Sequence, residues 1–84
     1  MKAFAPAYSQ EALAALIKAR STQRHQALAA IQQLVSFPRR QGDAAIIGPD
    51  GRVCQLLLVD EIVLTYWVDD AVAEIRIIAI EWPN

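Results

Sequence analysis

The C-terminal half of the chain constrains the fold most. Between Arg52 and Trp82 three apolar, β-branched-rich runs follow one another, separated only by the acidic pairs Asp60–Glu61 and Asp69–Asp70. Short apolar runs bounded by turn-forming residues read as strands, here Arg52 to Val59, Glu61 to Val68 and Ala71 to Glu81, arranged as a meander. Neither acidic pair contains glycine, so bulged or longer loops are expected rather than tight two-residue turns. The third run is the longest, and a strand of that length bends or overhangs its neighbours.

Upstream, Lys2 to Tyr8 alternates large and small side chains, with Phe4 and Tyr8 on one side and Ala3, Ala5 and Ala7 on the other. Period two predicts a strand, and Pro6, which cannot donate to a ladder, makes it an edge strand or a bent one. Ser9 stands where an N-cap belongs, with Gln10 and Glu11 in the first helical turn. From Gln10 to Phe37 there is neither Gly nor Pro. Leu13, Leu16 and Ile17 recur at helical spacing, lapse through the polar stretch Arg20 to Gln26, and resume at Leu28, Ile31, Leu34 and Val35. That gap, with Ser21 as a second N-cap, predicts two antiparallel helices rather than one rod. Pro38 ends the second. Ala44 to Ile47 is a candidate short extra strand, and Gly48, Pro49, Asp50 and Gly51 form a turn sequence. The expected fold is therefore α+β: an N-terminal strand, an antiparallel helical hairpin, then a three- to four-stranded antiparallel sheet, with residues 1–84 as one domain.

Charge divides along the chain. Residues 1–40 carry Lys2, Lys18, Arg20, Arg24, Arg39 and Arg40 against Glu11, whereas residues 41–84 carry Arg52 and Arg76 against Asp43, Asp50, Asp60, Glu61, Asp69, Asp70, Glu74 and Glu81. A basic helical layer and a sheet acidic at its turns are expected. Such clustered cations are a weak nucleic-acid signal at a net charge of −1, since phosphate binding usually draws on a larger excess. There is one cysteine, Cys54, and no signal-peptide pattern or membrane-length apolar run. The expectation is a cytoplasmic protein without disulfides or membrane contact.

Little catalytic chemistry is on offer. His25 and Cys54 are the only soft ligands and no spacing joins them, so no metal is expected. Cys54 reads as a core residue and His25 as a solvated one. No glycine-rich phosphate loop or nucleophile motif occurs, so no cofactor is expected. Arg76 lies inside an apolar strand, where an arginine pairs with an acid or points to solvent; Glu74 shares its face. Tyr66 and Trp67 point to opposite faces, one toward the helices. The other face and the edge of the long final strand are expected to lie uncovered, which favours self-association.

The order strand, helix pair, meander resembles the RelE/ParE family of bacterial type II toxin-antitoxin toxins. Phe4 to Pro6 and Tyr8 to Leu13 are similar to that family's opening strand and capped helix. Leu64 to Asp70, followed by Glu74 to Ile78, is similar to its closing hairpin, an apolar-Tyr-x-Val strand, an acidic turn and a strand with one arginine. The resemblance implies a toxin of a plasmid-stabilisation type system, neutralised by a cognate antitoxin. Anchoring on Tyr66 places the basic positions of RNA-cleaving members on Val63, Cys54 and Leu56, and their C-terminal histidine, tyrosine or arginine within Ala79 to Asn84, which has none. Phosphodiester cleavage needs proton-transfer and charge-stabilising groups. The resemblance thus implies a ParE-like protein, acting by binding DNA gyrase rather than as an enzyme. The alternatives are a ribosome-dependent endoribonuclease, with Arg52, Arg76 and the Arg39–Arg40 pair in displaced positions, and a non-toxic homodimerisation domain. The implied binding residues are Lys18, Arg20, Arg24, Arg39 and Arg40 for an acidic antitoxin tail, and Trp67 and Trp82 as aromatic anchors.

Overall fold

The computed structural model describes residues 3–82, so Lys2, Pro83 and Asn84 of the readings above lie outside the described residues. The elements are β1 (Ala5–Tyr8), α1 (Gln10–Lys18), α2 (Ser21–Ser36), β2 (Ala44–Ile47), β3 (Val53–Val59), β4 (Ile62–Asp69) and β5 (Glu74–Glu81). The chain is α+β, as its pattern predicts. The sheet is mixed and five-stranded in the order β1-β5-β4-β3-β2. β1 joins parallel to β5, with Ala5 opposite Glu74 and Tyr8 opposite Ile77, and every other pairing is antiparallel. The final strand is therefore interior, between β1 and β4, and its expected free edge is covered by β1. β2 forms the far edge.

Local chemistry explains the element boundaries. The Ser9 hydroxyl accepts from the Ala12 amide at 3.0 Å and donates to the Ile78 carbonyl at 2.6 Å, so one side chain caps α1 and ties it to β5. Ile78 is the extra residue of a bulge, since Thr65 pairs with Ala79 while Tyr66 pairs with Ile77. The long strand thus bends as expected. Between the helices, Ala19 and Arg20 are extended. The cap position of α2 is Arg20, one residue before the expected Ser21, and its amide donates to Gln23 Oε1 at 3.1 Å. Arginine offers no acceptor, so the first-turn amides of α2 receive no side-chain cap.

One turn departs from expectation. Val59 pairs with Ile62, so Asp60–Glu61 is a tight two-residue turn, with Asp60 at φ 55°. Aspartate tolerates the left-handed region better than most residues, which replaces the missing glycine. The second acidic turn is longer, as predicted: Asp69 pairs with Glu74 across four intervening residues, Ala73 standing at φ 54°.

Both helices lie on one face of the sheet. Ala12 and Leu16 of α1 and Ala27, Ala30, Ile31 and Leu34 of α2, the latter at helical spacing, pack on Leu57, Ile62, Leu64, Tyr66, Ile75, Ile77 and Ile80. Tyr66, fully buried, is the largest of these side chains. The helix backbones approach β1 and β5 most closely, while Leu57 and Val59 bring β3 under the same layer.

Candidate functional site

The face opposite the helices carries the side chains of alternate strand residues, among them Leu56, Val63, Thr65, Trp67, Arg76 and Glu81. Trp67 pairs directly with Arg76. The Arg52 guanidinium lies 3.8 Å from the centre of the Trp67 ring, and that of Arg76 lies 5.6 Å away. A tryptophan face attracts cations through its quadrupole, so the three side chains form one cluster built from β5, β4 and the residue entering β3.

Each cation in the cluster already has an acid. Arg76 bonds Asp69 at 3.2 Å and Glu74 at 3.0 Å, so the expected Glu74 pairing is present and Asp69 joins it. Arg52 lies 3.5 Å from Asp50, whose carboxyl is held below its ordinary range first by the Arg52 amide. With Glu81 on the same face, acids outnumber bases. The three positions to which the resemblance assigns basic residues of RNA-cleaving members carry no basic side chain. Val63 and Leu56 are aliphatic, and Cys54 is buried, its thiol pushed up by desolvation and by Asp50 against a weaker pull from Arg52. Among the described residues, no three His, Cys, Asp or Glu side chains gather as a metal set.

The five cations of the helical layer do not share one surface. Lys18, Arg20 and Arg24 surround the junction of α1 and α2, whereas Arg39 and Arg40 follow the opposite end of α2. Arg24 is structural in placement, donating to the carbonyls of Leu16, Ile17 and Ala19 at the end of α1. Arg39 makes a bidentate pair with Asp70 and lies over Phe4, tying the end of α2 to the β4–β5 turn; that pairing holds the Asp70 carboxyl below its ordinary range. Lys18, Arg20 and Arg40 are exposed, with no ion pair among the described residues. Trp82 is half-buried against the core, with its indole nitrogen enclosed, and Trp67 is half-covered by its arginines.

The Arg52–Trp67 contact was not evident from sequence. The tight Asp60–Glu61 turn is the signal that would have revealed it. The register it sets puts Cys54 across from Trp67, one step beyond the Gln55–Tyr66 pair, and Arg52 on the diagonal of the same face.

Comparison with solved structures agrees with this architecture over nearly the whole chain. A chain of the intact E. coli RelBE toxin-antitoxin complex superposes with a TM-score of 0.77 and 21% identity, covering 98% of this chain and 99% of that one. The chain adopts the RelE toxin fold. The isolated E. coli RelE toxin gives a TM-score of 0.75 at 21% identity over 98% of this chain and 86% of that one. A chain of the archaeal RelE-RelB complex from Pyrococcus horikoshii OT3 gives 0.70 at 14% identity, over 96% of each chain. No family model and no curated protein sequence matches the chain. The RelE fold is thus carried by topology and core pattern at low sequence identity. No described helix is long and apolar enough to cross a membrane.

Proposed function

We propose that this chain is the toxin of a type II toxin-antitoxin pair, held by an antitoxin protein, and that it acts by binding its target rather than by cutting RNA. Coincidence with RelE-fold chains over almost the full length of both supports the first part, since two of those chains come from complexes with an antitoxin. The observation that carries the second part is the open sheet face. Its arginines are engaged by Asp50, Asp69 and Glu74, acids exceed bases, and Val63, Cys54 and Leu56 can neither move a proton nor hold a developing negative charge. A polyanion meets little free positive charge there. By the ParE resemblance, DNA gyrase is the target class that fits an inhibitor without chemistry of its own.

Expression of the chain should arrest growth, and co-expression of a small adjacent open reading frame should relieve it. Purified protein should cut no messenger RNA with or without ribosomes, and gyrase supercoiling should fall. The RNase reading has one observation in its favour, the convergence of Arg52 and Arg76 on Trp67. Ribosome-dependent cuts that vanish in Arg76→Ala would establish that reading instead, and absence of toxicity together with absence of any antitoxin would sink both.

A further inference from the structure

The two edges of the sheet are unlike. β1 is guarded by Pro6, which removes a donor from the ladder. β2 has no guard: Ala44, Ala45, Ile46 and Ile47 are uncharged and all exposed. Ile47 and Val53 pair across β2 and β3 on the helix-facing side of the sheet, yet stay 69% and 57% exposed. Gly48 donates to the Arg52 carbonyl at 2.7 Å, which fixes the alternation of the ladder. Ile46 then directs its amide and carbonyl toward β3, and Ala45 and Ile47 direct theirs outward.

We propose that β2 pairs antiparallel with β2 of a second copy of this chain, about a two-fold axis perpendicular to the sheet at Ile46. Under that axis Ala45 of one copy faces Ile47 of the other, and Ile46 faces its own counterpart. Every outward amide and carbonyl of Ala45 and Ile47 in both copies is then satisfied. Small Ala45 sits against large Ile47 on the helix side, and the exposed Ile47–Val53 patches of the two copies adjoin. The charge pattern also selects this occupant. An acidic or basic segment finds no countercharge on Ala44 to Ile47, whereas an identical uncharged edge meets no repulsion there. Of the sheet edges described, β2 alone matches it in hydrogen-bond polarity and lack of charge. The result is one continuous sheet across both copies, with both helical layers on the same side. The pairing uses neither the helical cations nor the Arg52–Trp67–Arg76 cluster and stands independently of the toxin reading.

Sedimentation equilibrium of the full chain over a wide concentration range tests it. The wild-type mass should rise toward the dimer with concentration, while Ile47→Lys and Ala45→Pro should remain monomeric with unchanged circular dichroism. Both changes fall on an exposed strand, and Ala45 directs its amide away from β3, so the monomer fold should persist. In a Cys54→Ala background, Ile46→Cys should form an interchain disulfide on mild oxidation, whereas Leu58→Cys, 60% exposed on β3, should not. A wild-type monomer at every concentration, or a dimer that survives both edge substitutions, overturns the proposal. So does a monomer whose β2 amides gain exchange protection only when another protein is added, because the occupant is then not a second copy.

Discussion

Arg24 closes the end of α1 in place of a glycine cap, and removing its guanidinium should cost the fold more than any other single change to a charged side chain. The helix stops at Lys18, and its C-cap, Ala19, is extended at ψ 152° rather than left-handed, so the usual closing bonds are largely missing. Arg24 supplies them from the next helix: Nε donates to Leu16 O at 2.8 Å, and Nη2 to Ala19 O at 2.9 Å and Ile17 O at 3.3 Å. A hydrogen bond from a charged donor contributes about 1.5–3 kcal/mol net, less where water replaces it. The Ile17 bond is exposed and adds little. The two others are only part-buried and are taken at about 1 kcal/mol each; with about 0.3–1 kcal/mol for a cation at a helix C-terminus, the total is about 2–3 kcal/mol. Arg24→Met keeps the apolar stem and isolates that loss. In a domain of this size each kcal/mol moves Tm by about 4–8 °C, so the variant should melt roughly 10–20 °C lower. Arg24→Lys, with one ammonium in place of a fork, should recover less than half. Arg20→Ala should stay within about 0.5 kcal/mol, since only the backbone of Arg20 is engaged. Urea titration of the three variants checks this, and an Arg24→Met protein as stable as Arg20→Ala would refute the capping argument.

Other outcomes follow from the same geometry. Tyr66 donates to the Arg40 carbonyl at a long 3.4 Å, so Tyr66→Phe should lose about 0.5–1 kcal/mol in denaturant titration. Burial first, and then Asp43 against the pull of Arg40, raises the Tyr66 hydroxyl above its ordinary 10.0. Its contribution is therefore full below pH 10.0 and lost as pH rises through the folded value, and Tyr66→Phe should flatten that alkaline decline. Asp70 shifts the other way, its carboxyl lowered by Arg39 from 3.8, so its contribution is present above that pH and lost as pH falls through the folded value. Arg39→Ala should remove that part of the acid limb. Asp60→Val, forcing a β-branched side chain to φ 55°, should cost about 1–2 kcal/mol by thermal melt. Trp82→Ala should destabilise by about 2 kcal/mol, because the ring packs on the core, and any effect on a partner has to be compared at matched folded fraction.

Local patterns in the chain were readable and non-local ones were not. The helix period through Leu13, Leu16, Ile31 and Leu34, the cap at Ser9 and the strands after Gly51 depend on neighbours a few residues apart, which sequence displays directly. The partner of β1 does not, because period two announces a strand without naming the strand beside it. Arg24 and Trp82 were legible as a cation and an aromatic. Their roles depend on the backward fold at Ala19–Arg20 and on the bulge at Ile78, which decide what each side chain meets. The same limit applied to the cations: Lys18 and Arg40 look like one basic surface until the length of α2 separates them.

The parallel pairing of β1 with β5 carries a consequence for biosynthesis. The Ser9–Ile78 bond spans 69 residues of chain, and β5, the strand that joins β1 to the rest of the sheet, is translated after the other four. A nascent chain that has not yet exposed Glu74 to Glu81 holds β1 and β4 with no strand between them, and its two helices have lost the Ile75, Ile77 and Ile80 surface they pack on. Closing so long a loop is also slow relative to local hairpin formation. The sheet and the helical layer therefore cannot close until Glu74 to Glu81 have left the ribosome.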